Sequence, residues 1–155
     1  MGIVKFHFGL DPRTGTLVGG GLQIILGPMF YIYGLSSMFQ GNLLAGNSIC
    51  LVYSLICLVA GLLLICGSFL HKPSYVLIHQ ITSAIGAVLL LVYFVMVSKA
   101  VHKNPPSDGP EYELGMMGII ALLGLLVCII LQIYLIIGSA IFYRKLKTGE
   151  IKSGI

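Results

Sequence analysis

Charge is what this sequence of 155 residues has least of: Asp, Glu, Lys and Arg together make up 9% of it, against 57% apolar residues. A soluble domain carries roughly a quarter charged residues, so the composition excludes a water-solvated globule. The mean hydropathy of +1.02 points the same way. Nine basic and five acidic residues leave a net charge of +4, too sparse to track a phosphate backbone, and nucleic acid is excluded as a partner.

The absences have positions. No Asp, Glu, Lys or Arg occurs between Arg13 and Lys72, between Lys72 and Lys99, or between Glu113 and Arg144. A spanning helix needs about 20 predominantly apolar residues. The first gap accommodates two spans and each of the others one. The break in the first gap is the turn-like run Gln40-Gly41-Asn42 followed by Gly46-Asn47-Ser48. The expected fold is all-α: an integral membrane four-helix bundle with helices near 14–39, 48–70, 75–98 and 114–143. Residues 1–155 form one domain, with 144–155 a short basic tail.

Helix-end chemistry agrees. Asp11-Pro12-Arg13 places a capping carboxylate before a first-turn proline. Lys72-Pro73-Ser74 ends one helix and offers Ser74 as cap of the next. The run from Asn104 to Pro110 cannot continue a helix, and Glu111 and Glu113 suit a helix N-terminus. Positive residues are retained on the cytoplasmic side. With both termini cytoplasmic, that side holds Lys5, Arg13, Lys72, Arg144, Lys145, Lys147 and Lys152, and the other only Lys99 and Lys103. Both termini are therefore expected in the cytosol. The first apolar run is span-length, unlike the core of a cleavable signal peptide. Phe6 stands where N-myristoylation wants Ser or Thr.

Cysteine is missing from every loop. Cys50, Cys57, Cys66 and Cys128 fall inside the expected spans, as apolar packing residues rather than a disulfide framework or a metal set. Palmitoylation of Cys66 is the alternative. No Asn-x-Ser/Thr acceptor is present. Catalysis has no starting point either. The histidines His7, His71, His79 and His102 map to loops or helix ends, no carboxylate accompanies them inside the membrane, and Gly19-Gly20-Gly21 lacks the context of a phosphate loop. The expectation is a non-enzymatic chain without cofactor or metal.

What remains inside the spans is neutral and polar. His79 and Gln80 lie about one turn into the third helix, where an interfacial histidine meeting water or headgroups is the expected reading. Gln23 and Gln132 sit deeper and need interhelical partners; with His79 and Gln80 they alternatively line a polar path. Ser54, Thr82, Ser83 and Ser139 can bond their own helix backbone. In the first helix Gly15 and Gly19 form a GxxxG step for close approach, within the bundle or to another protein, and Pro28 interrupts the helix. Phe30, Tyr31, Tyr33 and Phe39 form an aromatic patch toward the non-cytoplasmic side. Arg144, Lys145, Lys147 and Lys152 suit anionic headgroups, and Ser153-Gly154-Ile155 matches a C-terminal PDZ ligand, with Ser153 and Ile155 as the recognised positions.

The step Arg13-Thr14-Gly15-Thr16-Leu17-Val18-Gly19 at the start of the first span resembles the lysosome-associated transmembrane (mouse transporter protein) family and the related small insect four-span proteins of the Pasiflora group. Arg13, Thr14, Gly15 and Thr16 carry the resemblance, together with the loop layout and basic tail. It implies four spans with cytoplasmic termini and, on the insect side, a part in cell-junction assembly at the plasma membrane rather than at endolysosomal membranes. Phe6-His7-Phe8 stands where vertebrate members have cysteine pairs, and the tail has none of their proline–tyrosine motifs. The expected function is an accessory or scaffold subunit working through lateral contacts with another integral membrane protein or its own copies, in contact with membrane lipids and with a PDZ protein as a further partner. The alternative is a small-solute transporter or channel-forming homo-oligomer.

Overall fold

The computed structural model describes residues 11–39, 44–103 and 110–149. They form four long helices: α1 (Pro12–Phe39), α2 (Leu44–Leu70), α3 (Pro73–Lys103) and α4 (Pro110–Lys147). Each contains a stretch long and apolar enough to cross a membrane: Arg13–Tyr33, Ser48–Leu70, Pro73–Lys99 and Ile119–Lys147. The chain is an all-α, multi-pass membrane protein.

Three helices open on proline, whose locked φ suits a first helical position and whose missing N–H costs nothing there. Asp11 caps α1: its carboxylate accepts from the Thr14 N–H at 3.1 Å, and its carbonyl from the Gly15 N–H at 2.9 Å. The Thr14 hydroxyl, and then its backbone N–H, hold the Asp11 carboxyl below its ordinary value of 3.8. At the next boundary the expectation needs correction. His71 closes α2 in a left-handed conformation with φ 51°. Proline then takes the first position of α3, so Ser74 lies inside the helix rather than capping it. Gly46, Asn47 and Ser48 are likewise corrected from turn to helix: they fall in the opening turns of α2, whose early N–H groups need no intrahelical acceptor. Gln40, Gly41 and Asn42 lie outside the described residues. Helix α3 also runs past its apolar stretch, to Lys103, and α4 begins before its own, at Pro110, because a helix does not have to stop where lipid does.

Sequential helices are antiparallel neighbours, and α1 meets α4 over a shorter stretch to close the bundle. The α1–α2 contact is made at backbone level. A Cβ on Gly61 would lie 2.7 Å from the Gly20 carbonyl oxygen, and one on Gly27 would lie 3.0 Å from that of Ser54. Only glycine permits such an approach. Two apolar clusters are stacked along the bundle. Leu64, Val76 and Phe142 lie toward the end that carries Arg13, Lys72 and Arg144, here termed the basic end. Tyr53, Leu90, Tyr93, Leu125 and Ile129, with Cys50 and Cys57, fill the opposite half.

Candidate functional site

Between those clusters lies a layer of neutral polar side chains from α1, α3 and α4, tied to α2 through a backbone carbonyl. Gln23 of α1, His79 and Ser83 of α3, and Gln132 of α4 are all within 1% of complete burial. The Gln132 amide nitrogen donates to the Ser83 carbonyl at 3.2 Å. The Gln23 amide nitrogen donates to the Ser83 hydroxyl at 3.2 Å and to Gln132 Oε1 at 3.4 Å. His79 Nδ1 lies 3.0 Å from the Ala60 carbonyl of α2.

The directions of these bonds follow from their ends. A backbone carbonyl only accepts, so Gln132 must turn its NH₂ toward Ser83, which leaves its Oε1 as acceptor for Gln23. At the other end the Ala60 carbonyl requires a proton on His79 Nδ1. The Ser83 hydroxyl stands beside the same ring, 3.4 Å from Nδ1 and 3.5 Å from Nε2. One acceptor is left over: Gln23 Oε1 is buried without a hydrogen-bond partner.

Depth follows from helical rise. Gln23 is ten residues past Arg13 and Gln132 twelve before Arg144. At 1.5 Å per residue that is about 15 Å and about 18 Å from the basic end, close to the middle of a hydrocarbon core of about 30 Å. In that medium no water competes, and each group must find its partner in the protein.

The expectation of an interfacial histidine is overturned. His79 is fully buried. Gly67 lets α3 close onto α2 just past the turn, a Cβ there lying 2.8 Å from Val76, and the small Ala60 leaves its carbonyl accessible one layer deeper. Gln80, the next residue, stays outside this layer, and its amide nitrogen is buried without a partner. Ser83 also departs from expectation: it serves two other helices rather than its own backbone. Ser54, Thr82 and Ser139 do bond their own helices, to the carbonyls of Leu51, Ile78 and Ile136.

Gly15, Gly19, Gly20 and Gly27 of α1 are used inside the bundle. Gly15 and Gly19 are buried, and a Cβ on Gly19 would lie 2.7 Å from Leu135 of α4. Of the two alternatives for this pair the structure has the one within the bundle: its surface is covered by the bundle's own side chains, which leaves it no face for a partner protein. Pro28 faces outward. In the family-like step, Arg13 and Thr14 are exposed while Thr16 is buried and shares a 2.8 Å hydrogen bond with Ser68 of α2. Its hydroxyl also donates to the Arg13 carbonyl. The Arg-Thr-Gly-Thr step thus joins a solvated cap to an interhelical clasp.

The four thiols are unlinked, Cys50 and Cys57 buried and Cys66 exposed. Among the described residues no group of three or more His, Cys, Asp or Glu could hold a metal ion. Ser153 and Ile155 lie outside the described residues. No family model, curated protein or solved structure matches this chain.

Proposed function

We propose that this chain is a non-enzymatic four-span membrane protein that acts as an accessory or scaffold subunit, through lateral contacts with other membrane proteins. The observation that carries this reading is the midplane layer, in which Gln23, His79, Ser83 and Gln132 join the four helices to one another. What the bundle offers its neighbours is an apolar side wall, with Ile25, Ile32, Leu55, Ile81, Val88 and Val127 among its exposed residues. In this reading both termini are cytoplasmic, and Arg13, Lys72 and the basic tail hold the bundle at a fixed depth against anionic headgroups. The resemblance of the Arg13–Thr16 step favours a junctional complex at the plasma membrane, and the Ser153–Ile155 tail would recruit a PDZ protein.

The test is extraction of the native membrane in mild detergent, followed by mass spectrometry of co-purifying chains. A large membrane protein in fixed stoichiometric ratio is the expected result. A chain that runs alone or only with its own copies would sink the reading.

One observation favours a second reading, a small-solute transporter or channel-forming oligomer. Gln23 Oε1 is an unsatisfied acceptor in the middle of the membrane, as a transient binding step would require. Solute flux in proteoliposomes that disappears in Gln132→Leu, with the variant still folded, would establish that reading in place of the first.

A further inference from the structure

The end of α4 carries a hydroxyl in a setting that no other part of the chain repeats. The last carbonyls of a helix have no intrahelical donor. Helix α4 ends at Lys147, and the two residues after it supply donors. The Thr148 N–H reaches the Arg144 carbonyl at 2.9 Å, and the Gly149 N–H reaches that of Leu146 at 3.4 Å. The Thr148 hydroxyl shares its proton between the carbonyls of Arg144, at 3.1 Å, and Lys145, at 3.2 Å. Gly149 has the left-handed φ of 70° that suits such a cap. Thr148 is exposed all the same.

Its flank sets it apart from the other hydroxyls at the basic end. Arg144, Lys145 and Lys147 stand four, three and one residues before it, with no acid among them, and Arg144 and Lys147 are exposed. Kinases choose substrates by such charge patterns. Thr14 and Ser74 are exposed at the same end but lack this flank. Thr14 follows Arg13 and has Asp11 three residues before it, bound to its own N–H. Ser74 follows a proline, with Lys72 two residues before it. Thr16 and Ser68 are buried.

We propose that Thr148 is a phosphorylation site for a Ser/Thr kinase that selects basic flanks, and that the phosphate releases the cap of α4. The site rests on the reading that both termini are cytoplasmic, the side that supplies ATP and such kinases. In the transfer, the Thr148 Oγ attacks the γ-phosphorus of ATP. The new O–P bond replaces the bond to the β–γ bridging oxygen, ADP leaves with that oxygen, and the hydroxyl proton passes to the kinase's catalytic carboxylate. The product has no proton to give the Arg144 and Lys145 carbonyls. It also brings a charge of about −1.5 to −2 to the helix end that is already negative. Both changes oppose the last turn. Leu146 lies in that turn and packs against Leu64, Val76 and Phe142, so loss of the cap reaches the bundle. The same phosphate offsets at least half of the charge that Arg144, Lys145 and Lys147 bring to anionic headgroups.

The test uses the full chain in lipid nanodiscs, which leave both ends accessible whatever the orientation. Radiolabelled ATP is added with the catalytic domain of a Ser/Thr kinase of basic-residue specificity. Peptide mapping is expected to place phosphate on Thr148 rather than on Thr14, Ser74 or Ser153. The double variant Arg144→Gln/Lys145→Gln should slow the transfer by about tenfold or more. In the phosphorylated chain, hydrogen exchange at the Thr148 and Gly149 amides should quicken by about tenfold, with the middle of α4 unchanged. The proposal is overturned if Thr148 takes up no phosphate, if the double variant is phosphorylated as fast as the parent, or if the phosphate leaves exchange unchanged. Orientation is read separately in sealed microsomes, whose outer face is the cytoplasmic one. A membrane-impermeant amine reagent should reach Lys147 and Lys152 and spare Lys99 and Lys103. The reverse pattern would overturn the cytoplasmic reading, and with it the site's access to ATP, whatever the nanodiscs show.

Discussion

Helix α1 has two long neighbours and treats them differently. Toward α2 it presents Gly20 and Gly27, and the backbones approach until the Gly61 Cα faces the Gly20 carbonyl with no room for a methyl group. Toward α4 it presents Gly19 to Leu135, then Gln23 to Gln132, and beyond those a cleft. The same helix is therefore held on one side by continuous close packing and on the other by a polar tie with a gap above it. Lipid tails are as apolar as leucine, so burial alone gives helices little reason to associate. Backbone approach and hydrogen bonds decide which contacts are firm. By that criterion α1 and α2 act as a unit, and the α1–α4 contact is where the bundle has freedom.

The contrast can be broken most sharply at Gly61. Gly61→Leu forces a side chain into the Gly20 carbonyl and Ile24, and overpacking of this kind should cost about 3 kcal/mol or more. Loss of the monodisperse folded fraction in detergent would show it; a parent-like thermal midpoint would mean that α1 and α2 do not meet as described. Next in size is the polar tie. Gln132→Leu removes the second bond to the Ser83 carbonyl and leaves the Gln23 amide short of one acceptor, and it should destabilise by about 1–2 kcal/mol. The double variant Gln23→Leu/Gln132→Leu should recover part of that loss in a denaturation cycle, because neither partner is then left alone. Additive losses would show that the two amides do not interact.

Thr16→Val probes the clasp to Ser68 near the basic end, where about 0.6 kcal/mol is expected from one interhelical bond in lipid. A loss as large as that of Gln132→Leu would mean that the clasp, not the midplane, holds α1. The smallest effect is the cap. The Asp11 carboxyl is held below its ordinary value of 3.8 in the folded chain, so its contribution is complete above that value. It declines as the pH falls and is gone below the lowered folded value. Asp11→Asn should abolish this slight acid sensitivity of the thermal midpoint, and a variant that keeps the full acid slope would assign the slope to another group.

The four spans were legible because charge is so scarce: the gaps that Arg13, Lys72 and Arg144 bound are a one-dimensional record of membrane thickness. The need of Gln23 and Gln132 for partners was legible for the same reason. That they meet each other at Ser83 was not, because helix register and rotation are set by contacts such as Gly20 with Gly61, far apart in the sequence. His79 was misplaced for a related reason: its distance from Lys72 gives a depth but not a direction, and its partner is a backbone carbonyl, which carries no signature in the sequence. The cleft depends on how far α4 stands from α1, a property of neither helix alone.

The polar layer also has an electrical consequence. A chain of hydrogen bonds passes protons along only if every member can accept one and release another. Here both ends rest on backbone carbonyls, at Ala60 and Ser83, and two of the links are carboxamides. Such groups hold their protons in place. The bundle thus carries polarity across its centre without providing a wire, and a membrane that contains it keeps its insulation against protons along this route.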